Sequence, residues 1–186
     1  LMPWKTAYQN VELAVRQSHK EWSKAEVREW TMKYLQMMNL ESAANRRPSM
    51  LSGGMRQRVG LARAFAAEPK ILLLDEPFAQ IDALTRGSIQ EELLRMWEST
   101  NSTVFMVTHD VDEAILLSNR IAMMSSGPRA ELAEMVEIDI PRPRVRAELI
   151  DDSRYMGIRN HIIKFLVSGK AMSGQDKSDK SSLLAV

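Results

Sequence analysis

Cysteine is absent from this chain of 186 residues. That excludes a disulfide framework, a thiolate metal site and a cysteine nucleophile, and it fits a reducing cytoplasm. Long apolar runs are also lacking. A membrane-spanning helix needs about 20 consecutive apolar residues, and the uninterrupted apolar stretches here are far shorter, so any membrane association is expected to come through a partner. The first residues show no basic stretch followed by an apolar core and a small-residue cleavage site, so no signal peptide is read. Neither sign of charge dominates. Lys and Arg number 25 against 24 Asp and Glu, a formal net charge of +1, which removes the basic footprint of a general nucleic-acid binder. Glycine is scarce, with eight residues at 53, 54, 60, 87, 127, 157, 169 and 174. None opens a phosphate-cradling loop of the form G-x-x-x-x-G-K-[ST]. The only Gly-Lys pair, Gly169 and Lys170, is followed by Ala171 and has Lys164 where the first glycine would stand.

What is present suffices for one domain with a substantial core, since 45% of residues are hydrophobic. Thr6 with Gln9 and Ser23 with Glu26 fit capping boxes, each opening a helix. In the second helix Val27, Trp30, Tyr34, Leu35 and Met38 recur at helical spacing and predict an inward face. Pro48 is expected to break that helix around Arg46 to Ser49. A third helix is predicted from Gly53 to about Ala67, stopped by Glu68 and Pro69. Ile71 to Leu74 then reads as a short buried strand. Ile89, Leu93 and Trp97 mark a crossover helix, and Thr103 to Thr108 a second buried strand, which together make a βαβ unit with parallel strands. Asp112 to Leu117 is predicted helical, Arg120 to Met124 a third strand, and Leu132 to Ile138 a weaker strand after a turn at Ser126, Gly127 and Pro128. A Pro/Arg segment and an amphipathic helix fill 139–167. The Ser, Lys, Asp and Gly-rich stretch from Ser168 to Ser182 is expected to be disordered.

Ligands of open parallel sheets gather beyond the carboxyl ends of the strands. Both predicted parallel strands end there in reactive groups, Asp75 and Glu76 on one, His109 and Asp110 on the other. Magnesium-assisted phosphoryl transfer needs a carboxylate for the metal and a group that orients or deprotonates water, and two adjacent acids can divide those tasks. A second feature is Ser52 ahead of a helix that opens with Gly53 and Gly54. The free N–H groups and partial positive charge of a helix N-terminus suit an anion, and glycines allow close backbone approach.

The run Leu51-Ser52-Gly53-Gly54-Met55-Arg56-Gln57-Arg58, followed by Asp75-Glu76-Pro77 and by Thr108-His109-Asp110, resembles the signature motif, Walker B motif and switch histidine of ATP-binding cassette (ABC) ATPases. The resemblance implies an α/β fold: the P-loop NTPase-like parallel sheet core of the C-terminal part of an ABC nucleotide-binding domain, with a helical subdomain. It divides the chain into a partial helical subdomain at 1–50, an α/β core at 51–138, a Pro/Arg segment and helix at 139–167, and a disordered tail at 168–186. It also implies ATP and Mg²⁺ as cofactors, with Asp75 holding Mg²⁺ through water, Glu76 as general base on the attacking water, and His109 contacting the γ-phosphate. Ser52, Gly53, Gly54 and Gln57 would complete the ATP site of a second subunit in trans, and Asp82 would stand in the D-loop at the dimer interface.

The stretch Leu1-Met2-Pro3-Trp4 resembles importer ATPases of the nitrate, sulfonate, taurine and cyanate group just after their Q-loop. The segments Ile140-Pro141-Arg142-Pro143-Arg144, Asp152-Ser153-Arg154-Tyr155 and Ile158-Arg159-Asn160 look most like nitrate-type subunits. Trp4 is a candidate contact with the permease and equally a core residue. The arginines of the later segments are expected on a solvated surface strand and linker. The implied protein is the ATP-hydrolysing subunit of an importer for nitrate or a similar small anion. It would lie at the cytoplasmic face of the plasma membrane, with a second ATPase subunit, a permease and indirectly a periplasmic binding protein as partners, and no nucleic acid. Without a P-loop, the chain is expected to be the C-terminal part of a longer subunit and inactive alone. The alternative is a shortened, non-catalytic subunit that docks on a permease or a partner ATPase.

Overall fold

The computed structural model describes residues 1–172 except 101, 126 and 128, together with 183–185. In chain order these form α1 (Ala7–Ser18), α2 (Lys24–Met37), α3 (Gly53–Ala66), β1 (Ile71–Asp75), α4 (Ala83–Glu98), β2 (Thr103–Thr108), α5 (Val111–Leu117), β3 (Arg120–Met124), β4 (Leu132–Glu137), α6 (Arg146–Leu149), α7 (Ser153–Met172) and β5 (Leu183–Ala185), with 3₁₀ turns at Glu41–Ala43 and Pro48–Met50. They fall into two compact units. One comprises 1–72 and 78–103, the other 73–77 and 104–186.

The first unit is helical. Both predicted capping boxes are present: the Thr6 hydroxyl accepts the Gln9 N–H and the Gln9 side chain accepts the Thr6 N–H, and Ser23 and Glu26 repeat the exchange. The Ala7 and Tyr8 N–H groups of the first turn of α1 donate to the carbonyls of Arg46 and Ala44 at 2.8 and 2.9 Å, so the loop after α2 satisfies donors the helix cannot satisfy itself. Helix α2 stops at Met37, about ten residues before the predicted break. Asn39 takes a left-handed φ of +53°, and the N–H groups of Asn39 and Leu40 donate back to Gln36 and Leu35. This double closure ends a helix without proline, and asparagine tolerates it better than most residues. Val27, Tyr34, Leu35 and Met38 are buried as expected, beside Val11, Val15, Val59 and Phe65. The Trp30 indole donates to the Ala66 carbonyl at 3.1 Å, and its ring lies edge-on to Trp22, 5.4 Å away. Trp4 is 68% exposed, which removes the core-packing reading of that residue.

A buried polar knot joins three segments of this unit. Arg58 on α3 donates to Glu92 on α4 at 2.8 Å and to the Ser88 hydroxyl at 2.9 Å, while the Asn39 amide donates to the other Glu92 oxygen at 2.8 Å. The Glu92 side chain is only 2% exposed, so these donors take the place of water around its oxygens.

The sheet is ordered β1-β2-β5-β3-β4. The Thr103 N–H donates to the Lys70 carbonyl at the start of the first two strands, and the Glu76 N–H donates to Val107 at their end. Starts meet starts and ends meet ends, so β1 and β2 run parallel, as a βαβ crossover requires. Strand β5 is antiparallel to β2 and to β3, and β4 is antiparallel to β3. The sheet is therefore mixed: β1, β2 and β3 share one direction. Two expectations change here. Strand β1 is not buried, since Ile71 and Leu73 are 61% and 75% exposed and only Leu72 is covered. The stretch expected to be disordered from Ser168 continues α7 as far as Met172, and Leu183 to Ala185 form a central strand. Residues 173–182 of the expected disordered tail lie outside the described residues.

Replacing Arg58 with Leu strands the Glu92 carboxylate. The expected loss is about 3–5 kcal/mol, read by urea unfolding through tryptophan fluorescence, and Arg58→Leu with Glu92→Leu together should recover most of it. All four tryptophans belong to the first unit.

Candidate functional site

The second unit carries the two acids and the histidine. Asp75 closes β1 and is exposed, and Glu76 follows at a left-handed φ of +42°. For a residue with a Cβ this conformation is uncommon and costs on the order of 1 kcal/mol. It is held by the hydrogen bond from the Glu76 N–H to the Val107 carbonyl at 2.9 Å. Because the two strands end together, the residue two beyond Val107 arrives beside Glu76. The His109 Nε2 lies 2.7 Å from Glu76 Oε1, and both side chains remain partly open to solvent, 34% and 43% exposed.

His109 stands between two residues tied to the first turn of α5. The Thr108 hydroxyl donates to the buried Glu113 carboxylate and accepts the Asp110 N–H at 3.1 Å. Asp110 is the N-cap of α5 and accepts the Glu113 N–H at 3.0 Å. The chain leaving β2 is thus closed into a small ring of hydrogen bonds, with the imidazole projecting from it.

In the first unit, Ser52 is the N-cap of α3, its hydroxyl accepting the Met55 N–H at 3.2 Å. Ser52 and Gly53 are exposed, Gly54 and Gln57 half-buried. The reason for glycine at 54 is packing: a Cβ there would lie 2.9 Å from the Thr85 methyl and 3.6 Å from Ile89, so α3 and α4 touch through this point. Asp82 is the N-cap of α4 and accepts the Thr85 N–H at 2.9 Å. The Arg56 guanidinium folds back on the Leu51 carbonyl at 2.6 Å, which fixes the turn into α3.

Among the described residues no group of three or more His, Asp or Glu side chains gathers to hold a metal. Asp75 alone fits the way Mg²⁺ is usually held beside nucleotides, by one or two carboxylates with water and phosphate oxygens supplying the rest.

Sequence reasoning missed a second set of polar residues in this unit. Arg144, expected on a solvated linker, is 9% exposed. Its guanidinium donates to the carbonyls of Ile115, Ser118, Ile138 and Ile140 at 2.6 to 3.2 Å. Arg142 donates to the Leu117 carbonyl at 2.7 Å. Asp112, in the first turn of α5, accepts from the Tyr155 hydroxyl and the Arg159 guanidinium of α7, both at 2.7 Å. Alternating prolines and arginines gave no sign of this, because the acceptors on and just after α5 lie 25 or more residues away in sequence.

Comparison with known proteins agrees with the motifs. A family model described as ABC transporter matches residues 1–79. The chain is 49% identical over 167 residues to the nitrate transport protein NasD of Klebsiella oxytoca, covering 89% of this chain and 64% of that protein. It is 45% identical over 166 residues to the nitrate import ATP-binding protein NrtD of Synechococcus elongatus, covering 61% of it, and 49% identical to the bicarbonate transport ATP-binding protein CmpC of a Synechocystis strain, covering 25% of it. A solved structure of the ATP-binding cassette MJ0796, a dimer in a post-hydrolysis state with ADP and Pi, superposes with a TM-score of 0.61 at 32% identity, over 76% of this chain and 60% of that one. Over 89% of its length the chain is similar to part of these transport ATP-binding proteins. It spans less than two thirds of the length of these curated relatives. Its fold is the α/β fold of the matched ATP-binding cassette, and among its described residues no helix is long and apolar enough to cross a membrane.

In this cassette Gly54→Ala forces the α3 N-terminus away from Thr85. The expected cost is about 1–3 kcal/mol, measured by chemical denaturation, and Thr85→Ala in the same chain should restore most of the stability by clearing the methyl.

Proposed function

We propose that this chain supplies the hydrolytic acids, switch histidine and signature helix of the ATPase subunit of an importer for a small inorganic anion. The observation that carries this reading is the 2.7 Å contact between Glu76 and His109 at the shared end of two parallel strands. The names of the relatives, nitrate and bicarbonate transporters, support a small oxyanion as the solute. The chemistry that ATP with Mg²⁺ supplies when bound is transfer of a phosphoryl group to water.

Glu76 is the general base. Its carboxylate is open on one side, where a water proton can be taken, and bounded on the other by the His109 ring. An Nε2–H of His109 directed at Oε1 leaves the second carboxylate oxygen to accept a proton. His109 orients that carboxylate, and its half-exposed edge is available to a phosphate oxygen. Asp75 offers the metal a charged oxygen one residue earlier, at the exposed end of β1, while the left-handed backbone at Glu76 accompanies a side chain that meets His109 beyond the end of β2. In the first unit, the Ser52-capped tip of α3 offers backbone N–H groups and a hydroxyl to an anion, with Gln57 one turn further along. This tip serves the nucleotide of a facing subunit, and Asp82 belongs to the same dimer interface. Exposed Trp4 is offered to the permease, through which the protein associates with the cytoplasmic face of the membrane.

The test joins these residues to the N-terminal third of a relative that carries a phosphate-binding loop. Magnesium-dependent ATP hydrolysis should appear in the joined protein and be absent from the 186 residues alone. Glu76→Gln, which keeps the shape but cannot take a proton, should lower turnover by about 10²–10⁴-fold and leave nucleotide binding intact. Turnover by the chain alone, or an active Glu76→Gln protein, would overturn the assignment.

A further inference from the structure

Helix α5 follows His109 directly, and its orientation is imposed from outside. It has seven residues, too few to be stable by itself, and it is held at both ends by the C-terminal quarter of the chain. At its N-terminal turn, Asp112 accepts two hydrogen bonds from Tyr155 and Arg159, both on α7. At the other end its last carbonyls, those of Ile115 and Leu117, together with that of Ser118, receive the guanidinium groups of Arg144 and Arg142. Two cations thus occupy the negative end of the helix, where a capping residue would otherwise be needed. The same Arg144 also grips the Ile138 and Ile140 carbonyls just beyond β4. The N-terminal end of α5 continues rigidly into the site, because Glu113 binds both Thr108 and Asp110, the neighbours of His109.

We infer that Asp112, Tyr155 and Arg159 are positioning residues: with Arg142 and Arg144 they set the direction of α5 and so hold the His109 ring against Glu76. This rests on the hydrolytic reading only for its consequence in turnover, since the mechanical link stands on the hydrogen bonds alone. It gives the C-terminal segment a part in the site. The charges agree with the geometry. Burial opposes ionisation of Asp112, but the bonds from Tyr155 and Arg159 outweigh it and keep the carboxyl below the usual carboxylate range. Burial first and Asp112 second push the Tyr155 phenol up to about 12, so Tyr155 remains a donor at any physiological pH. A depressed acid contributes stability above its unfolded pKa and loses it as pH falls through the folded one. The latch is therefore fully formed near neutrality and released only in acid, as pH falls below the ordinary carboxylate range.

The chain contains three histidines, at 19, 109 and 161, so the ring signals of His109 can be followed by NMR in the chain as it stands, at one neutral pH. Asp112→Asn, Tyr155→Phe and Arg159→Gln should each shift and broaden the His109 ring signals into exchange while His19, in the other unit, stays unchanged. Arg159→Lys should leave His109 closer to its original position than Arg159→Gln does. In the joined protein the same variants should lower kcat by about 10–100-fold with little change in KM. Variants that melt earlier yet show His109 signals identical to the parent would make the cluster merely structural and overturn the inference, as would shifted signals with unaltered kcat. Loss of the hydrolytic reading would instead appear as insensitivity of turnover to Glu76→Gln, with the His109 shifts remaining.

Discussion

The site depends on the shared end of two parallel strands. Parallel neighbours begin and end together, so the residues that leave β1 and β2 emerge at one edge without any contact having to be built for the purpose. A single backbone bond, from the Glu76 N–H to the Val107 carbonyl, then converts that proximity into a defined pair. It holds Glu76 in a left-handed conformation that glutamate avoids, and from there the carboxylate faces the His109 imidazole. Strain at this position is local and small beside the stability of the strands that impose it. That is the usual way a scaffold keeps a reactive group in an unfavourable pose.

Within each unit the elements are held through backbone groups more than through side-chain pairs. Helix α1 begins on carbonyls lent by the loop at Ala44 and Arg46. Helix α2 ends on its own left-handed Asn39, and α5 ends on two arginines from beyond β4. Each helix terminus leaves several polar groups without partners, and Arg142, Arg144 and the left-handed Asn39 serve such ends. Arg58 is the exception. It is committed to Glu92, a buried carboxylate, and with Asn39 it closes a knot that ties the turn after α2 to α3 and α4. A charge buried in this way adds little net stability while complete, but removing one member leaves the rest uncompensated.

Much of the architecture was legible because it is written in short-range pattern. Capping boxes at Thr6 and Ser23, the apolar face of α2, the glycine-opened α3 and the strand from Thr103 to Thr108 all follow from neighbours within one or two turns. The motif residues were equally visible, since Ser52, Asp75, Glu76, Asp82 and His109 lie in contiguous runs. Sequence reading went astray where a local turn came before the stronger breaker, or where the deciding partner lay far along the chain. Proline at 48 suggested a break, yet Asn39 had already ended α2. Arg144 looked like a surface charge, but its acceptors are carbonyls at 115, 118, 138 and 140. Apolarity in Ile71 and Leu73 suggested burial, and exposure depends on what else covers the strand.

By itself the sequence determined the cassette motifs, the helix caps, the βαβ order and the chemistry available at the strand ends, since each rests on residue type and spacing along the chain. Only the tertiary structure decided that Glu76 turns toward His109 through a positive φ, that β5 lies antiparallel between β2 and β3, and that α7 and the Arg142 to Arg144 segment grip α5. Those outcomes depend on hydrogen bonds between groups 25 to 79 residues apart. No local propensity encodes such pairs, because each forms only once the rest of the fold has brought its partners together.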